Sequence, residues 1–143
     1  MTIGGNRVQW HRLGMMVSMV CLAWMYGSAL QAQSEQVVEV MIKDYRFVTK
    51  QATLRLGFPT VIKVRNEDAV RHDFGSTMFE GIPTQIEQDG GVVYGRGVGG
   101  VFLDPQHDAT IRFDMTRPGR QVFRCSIHST MSGELLLLSA EAV

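Results

Sequence analysis

Residues 121–138 read QVFRCSIHSTMSGELLLL, and this stretch organises the rest of the chain. Gln121 to Cys125 and Glu134 to Leu138 read as two short strands, and the residues between them as one tight loop. Cys125, His128 and Met131 therefore stand on that loop as C-x-x-H-x-x-M. A strand would send alternate side chains to opposite faces, whereas a loop can bend a thiol, an imidazole and a thioether toward a common point. A soft thiolate, an imidazole and a weak thioether suit copper in a trigonal site with a long axial bond. Such a site requires a second imidazole from elsewhere.

His72 is the candidate. It follows the strand-like Thr60 to Arg65 and the turn-like Asn66-Glu67-Asp68, and it precedes Phe74, so it can reach the loop from a neighbouring strand. His11 falls in the N-terminal leader. His107 sits among Asp104, Pro105, Gln106 and Asp108, a turn composition that predicts exposure.

Further out, the pattern remains that of strands. Ala52, Leu54 and Leu56 alternate with Thr53 and Arg55. Ile62 and Val64 alternate with Lys63 and Arg65, and Ile111, Phe113 and Met115 with Arg112 and Asp114. Val37 to Ile42 is a further short candidate. Period two with one apolar face marks half-buried strands, and Gly57-Phe58-Pro59 and Arg117-Pro118-Gly119 punctuate them. Many short strands and no sustained helical period indicate an all-β sandwich. Gly75 to Gln106 reads instead as a long glycine-rich excursion between two core strands, with room for a short helix or hairpin. Within it Gly95 to Gly100 matches G-x-G-x-x-G, but Pro105 and a strand follow where a dinucleotide fingerprint needs a helix.

The first 32 residues carry Arg7 and Arg12 and no acid, then an uncharged run from Leu13 to Leu30, then Ser28, Ala29 and Ala32 as small residues for cleavage. These are the parts of a secretory signal, expected as an apolar signal helix cleaved after Ala32 or Ala29. An uncleaved membrane anchor is the alternative, since 18 apolar residues lie near the lower limit for a span. The chain thus divides into a leader (1–32) and one domain (33–143), exported, periplasmic or otherwise outside the cytoplasm. The formal net charge of the whole chain is zero, so the domain without its two leader arginines is slightly acidic, which offers no footprint for nucleic acid. Cys21 leaves with the leader. Cys125 is then the only cysteine, and an exported domain with one cysteine has no internal disulfide.

The domain resembles the cupredoxins, the blue-copper family that includes plastocyanin, pseudoazurin and amicyanin. The likeness rests on N-E-D-x(3)-H-D-F around His72, on P-G-x(3)-F-x-C from Pro118 to Cys125, and on C-S-I-H-S-T-M, whose spacing is most similar to amicyanin. The resemblance implies a Greek-key β-sandwich that binds one copper ion, Cu(I) or Cu(II). It implies His72, Cys125 and His128 as equatorial ligands and Met131 as the axial one. It also implies a monomeric one-electron carrier, not an enzyme, meeting transient redox partners at an apolar patch where His128, flanked by Ile127 and by Phe74 or Pro83, is the exit. Two positions depart from the family pattern: Ile127 stands where many relatives have Pro, and Asp73 where they often have Asn. Asp73 is expected to accept from a backbone N–H near Ser126 and to lower the redox potential, because a buried carboxylate favours the more positive Cu(II). Multicopper enzymes would need further domains and H-x-H pairs, and a binuclear centre a second loop cysteine. A copper chaperone or store is the alternative, though it would favour Met-rich or multi-Cys surfaces suited to Cu(I).

Overall fold

Alternation builds the first sheet. In a computed structural model of the chain, which describes residues 34–51 and 53–138, β1 (Gln36–Lys43) turns Val38, Val40 and Ile42 inward and Val37, Glu39 and Lys43 outward. β2 (Arg46–Gln51) folds back on it through a two-residue turn. β4 (Pro59–Asn66) lies parallel to β1 and buries Ile62 and Val64, and β9 (Asp108–Asp114) runs antiparallel to β4 and buries Ala109, Ile111 and Phe113. β6 (Pro83–Gln88) and β7 (Gly91–Arg96) complete six strands in the order β2-β1-β4-β9-β6-β7.

The second sheet has five strands in the order β3-β11-β10-β5-β8. Its members are β3 (Leu54–Arg55), β5 (His72–Ser76), β8 (Gly100–Leu103), β10 (Gly119–Arg124) and β11 (Ser132–Leu138). Spatial neighbours are often distant in sequence, the interleaving of a Greek-key sandwich. Between the layers lie Phe74, Phe79, Phe113 and Phe123, with Phe74 and Phe123 ring centroids 4.8 Å apart and Phe79 edge-on to Phe113 at 5.0 Å. Truncating one of the fully buried rings to Ala would cost roughly 3–5 kcal/mol.

The described residues contain one short helical turn, Thr77–Phe79, capped by Ser76, and no helix long and apolar enough to cross a membrane. The leader at 1–32, expected as a signal helix, lies outside them, as does Ala52.

Two expectations change. The run at Leu54 and Leu56 forms only the two-residue β3, with Leu54 buried and Leu56 half-buried in the turn that follows. The glycine-rich segment contains the short helix and the hairpin for which it had room, but it is a working part of both sheets and not merely an excursion between core strands. It holds the helical turn, the β6–β7 hairpin and β8, all three strands being members of the two sheets. Its hairpin closes on Asp89-Gly90, both with positive φ (51° and 77°), the Asp-Gly signal of a tight turn. At Gly100 a side chain would collide with the backbone of Phe74 and Gly75, so glycine lets β8 lie directly against β5. Gly97 and Gly99 sit between β7 and β8, and no helix follows them.

Candidate metal centre

Three strand ends converge at one end of the second sheet. His72 opens β5 with its ring fully buried, Cys125 follows the last residue of β10 and is 2% exposed, and Met131, 2% exposed, precedes β11. His128 stands half-buried on the loop between them. His107, the third of the chain's four histidines, is exposed beside a turn, as its surroundings predicted, and pairs with Asp89 at 2.7 Å.

The loop is pinned at both ends. The Cys125 N–H donates to the Met131 carbonyl at 3.1 Å, and the Met131 N–H to the His128 carbonyl at 2.9 Å. Asp73, buried on β5, accepts from the Ser126 N–H at 2.6 Å and the Ile127 N–H at 3.4 Å, the brace expected of it. Its own N–H points at the Cys125 sulfur, 3.5 Å away. Gly133, just after the loop, is also constrained: the Phe123 ring packs where a Cβ would stand, so any other residue would push that ring aside.

His72 is held from behind. Its Nε2 lies 2.9 Å from an Asp68 carboxylate oxygen. The same carboxylate accepts the N–H groups of Asp44 (2.7 Å) and Tyr45 (3.0 Å) in the β1–β2 turn. Burial pushes the Asp68 carboxyl up, but the two backbone donors and His72 outweigh it and hold it below the ordinary carboxylate value. An ionised carboxylate only accepts, so Nε2 is the donor in this pair, and Nδ1 is the ring nitrogen that faces the loop. Asp68 is placed in turn by Asn66, fully buried at the end of β4. The Asn66 amide donates to the carbonyls of Val70, Leu103 and Asp104 at 2.8, 3.1 and 3.1 Å, and its oxygen accepts the Asp68 N–H at 3.0 Å.

The outcome is a compact donor set. His128 Nδ1 lies 3.5 Å from Cys125 Sγ, His72 Nδ1 lies 3.9 Å from it, and all three atoms fall within 4.8 Å of one another. A trigonal ion with bonds of about 2.0–2.3 Å needs donors roughly 3.5–4 Å apart. The residues therefore fit a metal of thiolate–imidazole preference with little rearrangement. Among the described residues this is the one group of three or more His, Cys, Asp or Glu side chains placed to hold an ion. Met131 is buried where the loop closes.

Of the residues named from the sequence, the structure brings the donor atoms of His72, Cys125 and His128 together, buries Met131 at the end of the same loop, and sets Asp73 against the loop backbone; sequence reasoning named no others. It missed Tyr45, Asp68 and Asn66. Asp68 lies four residues before His72, a spacing that could have raised it. Tyr45 stands edge-on to both imidazoles, with centroids 5.5 Å from His72 and 5.1 Å from His128. The surroundings of His128 also need correction. Phe74 is buried against Phe47 and Phe123, and Pro83 opens β6 in the other sheet. The ring beside His128 is Tyr45, 51% exposed, with Ile127, 47% exposed, next to it in the chain.

No family model matches the chain, and no curated protein is significantly similar to it in sequence. Solved structures similar to it include amicyanins. A mutant of amicyanin with Cu(I) is 15% identical over 71% of this chain and 82% of its own, with a TM-score of 0.47. Amicyanin from Paracoccus versutus is 19% identical over 71% of this chain and 81% of its own, with a TM-score of 0.45.

Proposed function

We propose that this chain is an exported mononuclear type 1 copper protein that carries one electron at a time between redox partners. The observation that carries the reading is the convergence of two imidazole Nδ1 atoms on one buried cysteine sulfur, within 4.8 Å. His72, Cys125 and His128 would hold the ion in a plane, and Met131, at the closure of the same loop, would supply the weak axial donor. Bound there, copper would supply a one-electron Cu(I)/Cu(II) couple. The protein's own work is to keep the donors still. Asp68 fixes the His72 ring, Asp73 fixes the loop backbone, and the Cys125–Met131 backbone bond fixes the loop's neck. Donors that barely move between oxidation states keep reorganisation small, which is what fast outer-sphere transfer needs. Four protein donors leave no open position for a substrate, so a carrier is favoured over an enzyme. A single buried thiol, with no Met-rich or multi-Cys surface in the domain, is a poor design for a chaperone or store.

The arginine-containing leader at 1–32 supports export, with cleavage leaving a monomeric domain from 33 onward. Docking of protein partners is assigned to the surface beside His128, where Ile127 and Tyr45 are exposed, with the small, short-lived interface typical of redox encounters. Reversible voltammetry of the copper-loaded protein tests the reading: one electron per protein, with the same visible spectrum recovered after reduction and reoxidation. Copper that is lost on reduction, or passed on to an acceptor protein, would support the chaperone. Ile127→Glu should slow transfer with a protein partner while leaving the potential in place, and unchanged rates would move the docking surface elsewhere.

A further inference from the structure

Tyr45 is a poor residue for the place it occupies. It fills the second central position of the two-residue β1–β2 turn with φ 58°, after Asp44 at φ 52°. Turns of this type favour Gly or Asn there, and a bulky side chain with positive φ is an outlier. Half-exposed, the ring gains little from burial that would offset such strain. Strain of this kind persists only where surrounding groups impose it. Here they do: Asp68 takes both turn N–H groups, and it is the same carboxylate that holds His72 Nε2.

What the strained position provides is a ring against two imidazoles at once. Tyr45 meets His72 at 83° and His128 at 87°, and the imidazole centroids are 4.7 Å apart. His72 has Asp68 to fix its orientation. Among the described residues no group hydrogen-bonds His128 Nε2, and the only ring nitrogen contact is Nδ1 with Cys125. The ring most in need of support is thus the one the tyrosine packs against most closely.

We propose that Tyr45 is a positioning residue whose ring holds His128 beside His72, so that both Nδ1 atoms face Cys125 whether or not metal is bound. For its electron-transfer consequence this rests on the copper reading above; for the metal-free geometry it does not. The contact is made by the ring and not the hydroxyl, so Phe should replace Tyr, while Gly and Asn would suit the turn and lose the clamp.

The test compares Tyr45→Phe, Tyr45→Gly and Tyr45→Asn in the full chain. In metal-free wild type, NMR should show one set of His128 ring signals with cross-relaxation to the Tyr45 ring. The Gly and Asn variants should keep the amide spectrum and a metal-free thermal midpoint no lower than wild type, yet show exchange-broadened or multiple His128 signals. They should release copper to a chelator and slow electron self-exchange by about tenfold or more, the lower range for residues that orient a ligand. Tyr45→Phe should stay within twofold of wild type by both measures. A purely structural turn residue predicts the opposite pairing: a raised midpoint with ring signals, release and exchange unchanged, and that result would overturn the proposal. A mobile His128 ring in metal-free wild type would overturn it too. Should wild type take up no thiolate-bound copper, the copper reading fails, and the metal-free ring signals still decide for or against the clamp.

Discussion

The ligand loop and the β6–β7 hairpin are both connections built around tight turns, yet they are constrained in opposite ways. Between Cys125 and Met131 the backbone is bonded to itself at the neck and to Asp73 along its first residues, and just beyond it Gly133 packs against the Phe123 ring. Every donor that matters is buried or half-buried. At β7 the sheet ends: Val92, Val93 and Tyr94 are all exposed, Tyr94 by 74%, and the strand is paired on one side only. The first region tolerates little displacement because several hydrogen bonds and a ring contact set each atom. The second has side chains that touch little and should accept change. Precision in this sandwich is local, concentrated where the two sheets' loops meet the end of β10.

This contrast can be broken at several points. The largest effect is expected at Asn66, whose amide ties three carbonyls and the Asp68 N–H behind the site. Asn66→Ala removes all four of these side-chain bonds and should cost about 2–4 kcal/mol of metal-free stability, read by urea denaturation. A loss below about 0.5 kcal/mol, the level of an ordinary surface change, would mean that the site's rear is not braced as described. A smaller effect belongs to Asp73. Asp73→Asn removes a negative charge beside Cys125 but keeps an oxygen for the Ser126 N–H and the residue's own N–H for the sulfur. The potential should rise by about 60 mV, one tenfold step in the relative affinity for the two copper states. Spectroelectrochemistry would show it, and an unmoved potential would remove Asp73 from the tuning of the site. The smallest effect is expected on the hairpin. Val93→Thr should change stability by less than about 0.5 kcal/mol and leave the copper spectrum untouched. A larger loss in dilute solution would show that β7 is covered after all.

The same contrast explains what could be read from the sequence. β4 and β9 were legible because Ile62 and Val64, and Ile111 and Phe113, alternate with charged or polar residues; β1, β10 and β11 showed only as short candidates, though in the fold they alternate in burial, Val38, Val40 and Ile42 against Glu39 and Lys43 being the clearest case. β7 shows no alternation because neither face is buried, and β8 is too short for a period. β2 is an edge strand with mostly exposed side chains. The Asp89-Gly90 turn signal was present and would have revealed the hairpin had both flanks been apolar on one face. At the site, Cys125, His128 and Met131 were legible because one loop carries them all. Tyr45 was not, because 27 residues separate it from His72 and only the folded chain shows that they meet; Asp68, four residues from His72, was open to notice but reads first as part of a turn. Asn66 looks like turn punctuation until its four hydrogen bonds are seen.

Titration of the metal-free protein with Cu(II), followed by visible absorption, tests the central claim most directly. A thiolate bound in a trigonal site predicts an intense visible band that grows to one equivalent and stops, is bleached by one electron, and is absent from Cys125→Ser. A protein that stays colourless, or whose band survives the loss of Cys125, would contradict the account.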